Sequence, residues 1–127
     1  MKHLLDTHVW LWFVAGDARL PAKIRRAIER DPDLAALSSI SVWELSRLIH
    51  RRRFTLPGSI SITEFVAAVP FRDVQVNRDI ALETARFPQL RDPGDALIAA
   101  TASVYDLTLL TVDEELLSTP GLRTRGG

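Results

Sequence analysis

His3-Leu4-Leu5-Asp6-Thr7-His8 is the stretch on which the fold turns: an apolar pair delivers a carboxylate, and the pattern then changes at once. Leu4 and Leu5 read as a short buried strand. Val9, Trp10, Trp12 and Phe13 follow without alternation, at spacings that suit the buried side of a helix. Asp6 therefore falls where a strand stops and a helix begins. In an open α/β sheet that is the edge at which ligands bind. A lone Asp there also serves as a helix cap, accepting from the free N–H groups of the first turn. Position alone assigns it no function.

Outward from this junction the same alternation repeats. Gly16-Asp17 breaks the first helix, and Pro21 suits the first position of a second, with Leu20, Ile24, Ala27 and Ile28 inward. Arg19, Lys23, Arg25, Arg26 and Arg30 mostly take its other sides. Residues 34–38 read as a buried parallel strand, followed by a helix from about Ser41 that places Val42, Leu45, Leu48 and Ile49 at near-helical spacing. Arg51-Arg52-Arg53 closes that helix at its negative end. After the turn at Leu56-Pro57-Gly58 come a helix marked by Ile62, Phe65, Val66 and Val69, a strand at 73–76, a small helix at 80–85, an Ala-rich helix at 96–104 and a last strand at 107–111. The tail, 119–127, carries Pro120 and three glycines and is expected to fray. Short apolar strands alternating with helices predict an α/β class, an α/β/α sandwich around a short, mostly parallel sheet.

A length of 127 residues with 46% hydrophobic and 25% charged content is that of one ordinary domain, taken as 1–127. Lys+Arg and Asp+Glu both number 16, so attraction to nucleic acid has to come from local asymmetry rather than net charge. The absence of cysteine removes disulfides, thiolate metal sites and cysteine nucleophiles, and accords with a reducing cytoplasm. No signal-peptide pattern and no membrane-length apolar run are present, so the expectation is a cytoplasmic protein without membrane contact.

Three further acids occupy junctions like that of Asp6. Glu44 lies in the first turn predicted after the 34–38 strand, Asp95 in the first turn of the Ala-rich helix, and Asp113 after the 107–111 strand. Each also reads as part of a cap: Ser41-Val42-Trp43-Glu44 has the form of a capping box, and Asp92-Pro93-Gly94-Asp95 that of an Asp-capped helix with Pro in its first position. Helices that follow parallel strands, however, all start on the same edge of the sheet, so four acids would face one cleft. Two carboxylates ~5 Å apart repel by about 3 kcal/mol at an effective dielectric near 20, more than the ~1 kcal/mol a cap returns. Such a cluster calls for cations or protons. With His3, His8 and His50 as the only imidazoles, and in no ligand pattern, an all-oxygen site suits Mg²⁺ or Mn²⁺.

Leu4-Leu5-Asp6-Thr7-His8-Val9-Trp10-Leu11-Trp12, Ser39-Ile40-Ser41-Val42-Trp43-Glu44-Leu45, Asp92-Pro93-Gly94-Asp95-Ala96-Leu97-Ile98-Ala99-Ala100-Thr101-Ala102 and Leu110-Thr111-Val112-Asp113, in that order, closely resemble the PIN-domain ribonucleases, specifically the VapC-type toxins of toxin–antitoxin pairs. The resemblance spans about 2–117. It implies a PIN-like sandwich and a divalent-metal-dependent endoribonuclease that cleaves structured cellular RNA through a metal-activated water. The family's acids fall on Asp6, Glu44, Asp95 and Asp113, with Glu114 beside the fourth as a substitute. It also implies an antitoxin partner and a homodimer. Where many relatives carry a basic residue after the third acid, this chain has Ala96.

Arg47, His50, Arg51, Arg52 and Arg53 form the densest basic cluster, with Arg47, Arg51 and Arg52 the candidates for RNA contact, and Trp43, Leu48 and Ile49 the candidates for a partner groove; the same residues also fit a solvated helix end. Thr7 and Thr111, beside the first and fourth acids, orient a water, contact phosphate or satisfy local backbone. Two other readings compete. A receiver-type phospho-acceptor domain needs a late lysine, and the only lysines are Lys2 and Lys23. A catalytically silent PIN-fold binding module would be marked by a missing acid, and none is missing.

Overall fold

The computed structural model describes residues 1–127. Five short strands, β1 (His3–Leu5), β2 (Ala35–Ser38), β3 (Arg72–Val74), β4 (Thr108–Leu110) and β5 (Thr124–Arg125), form one sheet in the order β3-β2-β1-β4-β5, every neighbouring pair parallel. Parallel pairing requires a crossover between strands, and the helices supply it. They are α1 (Thr7–Ala15), α2 (Ala22–Arg30), α3 (Ser39–His50), α4 (Ile62–Ala67), α5 (Arg78–Glu83), α6 (Pro93–Val104) and α7 (Glu114–Leu117). None is long and apolar enough to cross a membrane.

The two-residue period of the strands sorts the core into two layers. Leu4, Ala36 and Leu109 point to one face, where they meet Ile80 of α5, Ile98, Ala99 and Ala102 of α6 and Leu116 of α7. Leu5, Ala35, Leu37 and Leu110 point to the other, against Val9 and Trp10 of α1, Ile24 and Ile28 of α2, Leu45 of α3 and Phe65 of α4. Each large aliphatic side chain buried in this way contributes about 1.5–3 kcal/mol. The alanines of α6 let that helix lie close to the sheet.

This sorting locates the functional edge. The chain leaves β1 and β2 by helices on one face but leaves β4 by α7 on the other, and β1 and β4 are adjacent. The strand order therefore reverses between them, and a crevice opens past their C-terminal ends. Asp6 follows β1, and Thr111 and Asp113 follow β4.

Two expectations are corrected. Ser41 and Glu44 do not form a capping box: Ser38 caps α3, its hydroxyl accepting from the Ile40 N–H at 3.1 Å. Pairing of β2 with β3 carries the strand through Ser38, so the helix starts at Ser39 and Glu44 lies in its second turn. The tail, expected to be loose, is placed against the sheet. Leu109 N–H donates to Arg123 O (2.9 Å) and Thr111 N–H to Arg125 O (3.1 Å), while Thr119 is buried and Leu122 packs on the core.

Candidate active site

Asp6 is the most buried of the four acids, 7% exposed. One carboxylate oxygen accepts from Thr7 N–H at 2.8 Å, so Asp6 does cap α1; the other accepts from the Thr111 hydroxyl at 2.7 Å. The same Thr111 oxygen accepts from Asp113 N–H at 3.0 Å. One hydroxyl thus joins the carboxylate after β1 to the backbone after β4. On the other side of Asp6, the Thr7 hydroxyl donates to Glu44 Oε1 at 2.5 Å and lies 2.8 Å from Ser41 Oγ. Since a hydroxyl has a single hydrogen, Ser41 is the donor in that second bond. The run Ser41–Thr7–Glu44 holds Glu44 toward the crevice from inside α3.

Asp95 enters from the first turn of α6, which Asp92 caps by accepting from Gly94 N–H (2.8 Å) and Asp95 N–H (3.2 Å). Gly94 is required by contact. A Cβ there would stand against Glu44 Oε2, at 2.9 Å from Glu44 Cδ and 3.2 Å from Asp92 Oδ1. Asp113 caps α7 and is exposed, as is Glu114 behind it.

The electrostatics record the convergence. Burial, followed by the charges of Asp92, Asp6, Asp113 and Glu44, pushes the Asp95 carboxyl up to about 7. Asp6 is raised mainly by burial, against the hydrogen bonds from Thr111 and Thr7 and the opposing charge of His8, with Asp113 adding repulsion. Glu44 is raised by burial, then by Asp6 and Asp92, against its bond from Thr7. Carboxylates from four parts of the chain therefore share one field.

A hard cation fits this donor set in kind, because every converging ligand is oxygen and the buried acids are held from ionising freely by their surroundings. It does not find a finished cage. No three Asp, Glu or His side chains stand close enough to hold one ion in the positions they occupy. Asp6 retains lone pairs beyond the two its hydrogen bonds use, and Glu44 Oε2 is free of any hydrogen bond. A cation bound here would have to draw the acids inward.

Beside the acids lies an open cleft of about 340 Å³, lined by Thr7, Glu44, Asp92 and Gly94 and by Trp43, Arg47, Leu48, Arg51 and Arg53. Of the basic cluster, Arg47, Arg51 and Arg53 line this cleft, and His50 and Arg52 do not. The reason is the end of α3: Arg52 N–H donates to Ile49 O and Arg53 N–H to Leu48 O, with Arg52 at φ 58°. That left-handed residue turns the chain so that Arg53, not Arg52, faces the cleft. Ile49 does not line this cleft, although it and Leu48 both pack, partly buried, against the core. Trp43, by contrast, is 53% exposed, with the Arg47 guanidinium 5.4 Å from its ring centre. Ser41 and Gly94 were also missed. Only Gly94 left a signal, a glycine in the first turn of a helix.

The PIN domain family matches residues 3–122. The chain belongs to the PIN-domain family. This PIN domain is 33% identical over 117 residues to Ribonuclease VapC22 of Mycobacterium tuberculosis, across 91% of this chain and 89% of that protein, which makes it VapC-like within the family. Its fold is similar to that in the crystal structure of VapBC2 from Rickettsia felis bound to a DNA fragment from their promoter, with TM-score 0.76 and 16% identity over 100% of this chain and 99% of that one. A toxin–antitoxin complex from Klebsiella pneumoniae is similar too, with TM-score 0.69 and 23% identity over 98% and 96%.

Proposed function

We propose that this PIN domain is a divalent-metal-dependent endoribonuclease, the cytoplasmic toxin of a toxin–antitoxin pair, in which Asp6, Glu44, Asp95 and Asp113 hold Mg²⁺ or Mn²⁺. The observation that carries the reading is the shared field at Asp95, whose carboxyl is pushed up to about 7 by burial and four other acids. A stable cap needs no such crowding, and perturbed groups of this kind mark sites of chemistry. The relative named Ribonuclease VapC22 supports RNA as the substrate. The toxin–antitoxin complexes among the structural neighbours support an antitoxin partner, and a homodimer belongs to the same reading.

A divalent cation bound among the acids supplies charge neutralisation and a water of lowered pKa, suited to in-line attack on phosphorus. The chain's own residues do the positioning. Thr111 fixes Asp6, and Ser41 through Thr7 fixes Glu44. Asp95, whose carboxyl is pushed up to about 7, would give up its proton to hold a cation. Arg47, Arg51 and Arg53 neutralise phosphates along the cleft, and Trp43 offers a face on which a base stacks. Trp43 and Leu48 also give an antitoxin segment an apolar foothold in the same cleft, so antitoxin and RNA exclude each other there.

The test is to incubate the purified protein with total cellular RNA and Mg²⁺ or Mn²⁺ and to sequence the 5′ ends of the fragments. Discrete cuts in structured RNA, abolished by chelator, are expected. RNA left intact at every metal concentration contradicts the reading.

A further inference from the structure

Away from the cleft, and sharing no residue with it, α2 and β5 build a second charged surface. Lys23, Arg26 and Arg30 recur at positions i, i+3 and i+7, which brings them to one face of α2 over about 10 Å of helix. Ile24 and Ile28 occupy the opposite, buried face. Arg125 joins them from β5: its register with Leu110, which belongs to the α2-side core, turns it toward the helix. Lys23, Arg26, Ala27, Arg30 and Arg125 line a shallow depression of about 280 Å³.

These cations have no structural employment. The ion pairs of the chain are Arg19–Asp17, Arg86–Glu83 and Arg123–Asp106, and none includes them. Arg25, on the same helix, is by contrast engaged, donating to Asp17 O and lying over the Phe13 ring. The single acid among α2's residues, Glu29, forms no ion pair. In a molecule of zero net charge, four cations gathered from two elements repel one another until a polyanion arrives. Of the four, Arg125 also acts inward: His3 is held below the usual imidazole range by burial first, then by Lys2 and Arg125.

We propose that Lys23, Arg26 and Arg30 of α2, with Arg125 of β5, form a second phosphate-binding surface that grips the backbone of an RNA substrate away from the bond being cut. The surface rests on the ribonuclease reading for its ligand, and it explains how a domain without net positive charge retains a long structured RNA while the small cleft works on one segment. Contacts of this kind are to phosphate, so they confer affinity and salt dependence without base preference.

The test compares the wild type with the triple variant Lys23→Ala, Arg26→Ala, Arg30→Ala, whose substitutions lie on an exposed helix face and favour helix; a charge-reversed triple Glu variant and circular dichroism check the fold. Anisotropy of a labelled hairpin RNA is measured in chelator over a range of salt, and cleavage of a short single-stranded oligonucleotide is measured separately with Mn²⁺. The Ala variant is expected to bind the hairpin about tenfold more weakly, with a salt slope smaller by about two units, and to cleave the short oligonucleotide at the wild-type rate. Unchanged affinity and slope overturn the surface, whether or not the protein cleaves. Loss of hairpin binding in the variant, alongside a wild type that cuts nothing, keeps the surface and removes the ribonuclease reading.

Discussion

Thr111 shows how much of the site rests on single atoms. Its hydroxyl is the only side-chain link between the Asp6 carboxylate and the backbone at Asp113, and its bond to Asp6 is buried. Thr111→Val keeps the shape and removes the hydroxyl, leaving a buried carboxylate oxygen short of a donor. A loss of about 1–3 kcal/mol in stability is expected, read from denaturant melts, with a fall in cleavage rate. Asp95 behaves in the opposite sense. Its carboxyl moves from 3.8 to about 7 on folding, so between those values the folded protein holds a proton that the unfolded chain has released. Stability without metal is therefore greatest at the acid end of that window, falls across it as pH rises, and levels off above about 7. Asp95→Asn removes this dependence. It is expected to stabilise the metal-free protein above pH 7 by about 1–2 kcal/mol after allowance for solvent screening, while abolishing cleavage. Thermal melts of both proteins across the window check the sign. Of these residues the acids were legible in the sequence, because strand ends and helix starts can be read locally. The supporting hydroxyls were not: Thr7 meets a residue 37 positions away and Thr111 one 105 positions away. None of the readings available for those threonines, water, phosphate or local backbone, included a bond to a distant acid.

Among the elements, α3 carries the most consequence and was the least well read at its ends. The pattern Ser-x-x-Glu occurs at both Ser41–Glu44 and Ser61–Glu64, and only the second is a capping box, with Glu64 N–H to Ser61 Oγ at 3.1 Å and Ser61 N–H to Glu64 Oε1 at 3.0 Å. What separates them is the sheet, which holds Ser38 in β2 and so fixes where α3 starts. At the other end, Arg52 takes the left-handed conformation usually given to glycine. For an L side chain that costs roughly 1 kcal/mol. Arg52→Gly is expected to raise stability by about that amount and to leave cleavage intact, since the turn that aims Arg53 is preserved. Arg53→Ala, by contrast, is expected to weaken RNA binding and lower the salt slope by nearly one unit. Binding isotherms over a salt series distinguish the two variants. A run of three arginines offers no local sign of which one faces a cleft; the backbone at Arg52 decides it.

At the scale of the whole molecule, the reversal of strand order between β1 and β4 brings the acids to one edge. The parallel sheet and its two helical layers were legible from short apolar runs alternating with helical spacing. The strand order was not, because periodicity says which residues are buried and nothing about which strands are neighbours. β5 escaped for a related reason: Thr124–Arg125 is two residues long and lies in a stretch rich in glycine, so only its pairing with β4 identifies it as a strand. The acids arrive from separate elements and stand too far apart to enclose an ion, so on the proposed reading a bound cation would draw them together and displace the proton on Asp95. The most direct measurement is a calorimetric Mn²⁺ titration of the wild type and of Asp95→Asn, in two buffers of different ionisation heat near neutral pH. The account predicts saturable binding with proton release in the wild type, and the loss of both in the variant. No saturable binding in the wild type, or equal binding in the two proteins, would contradict it.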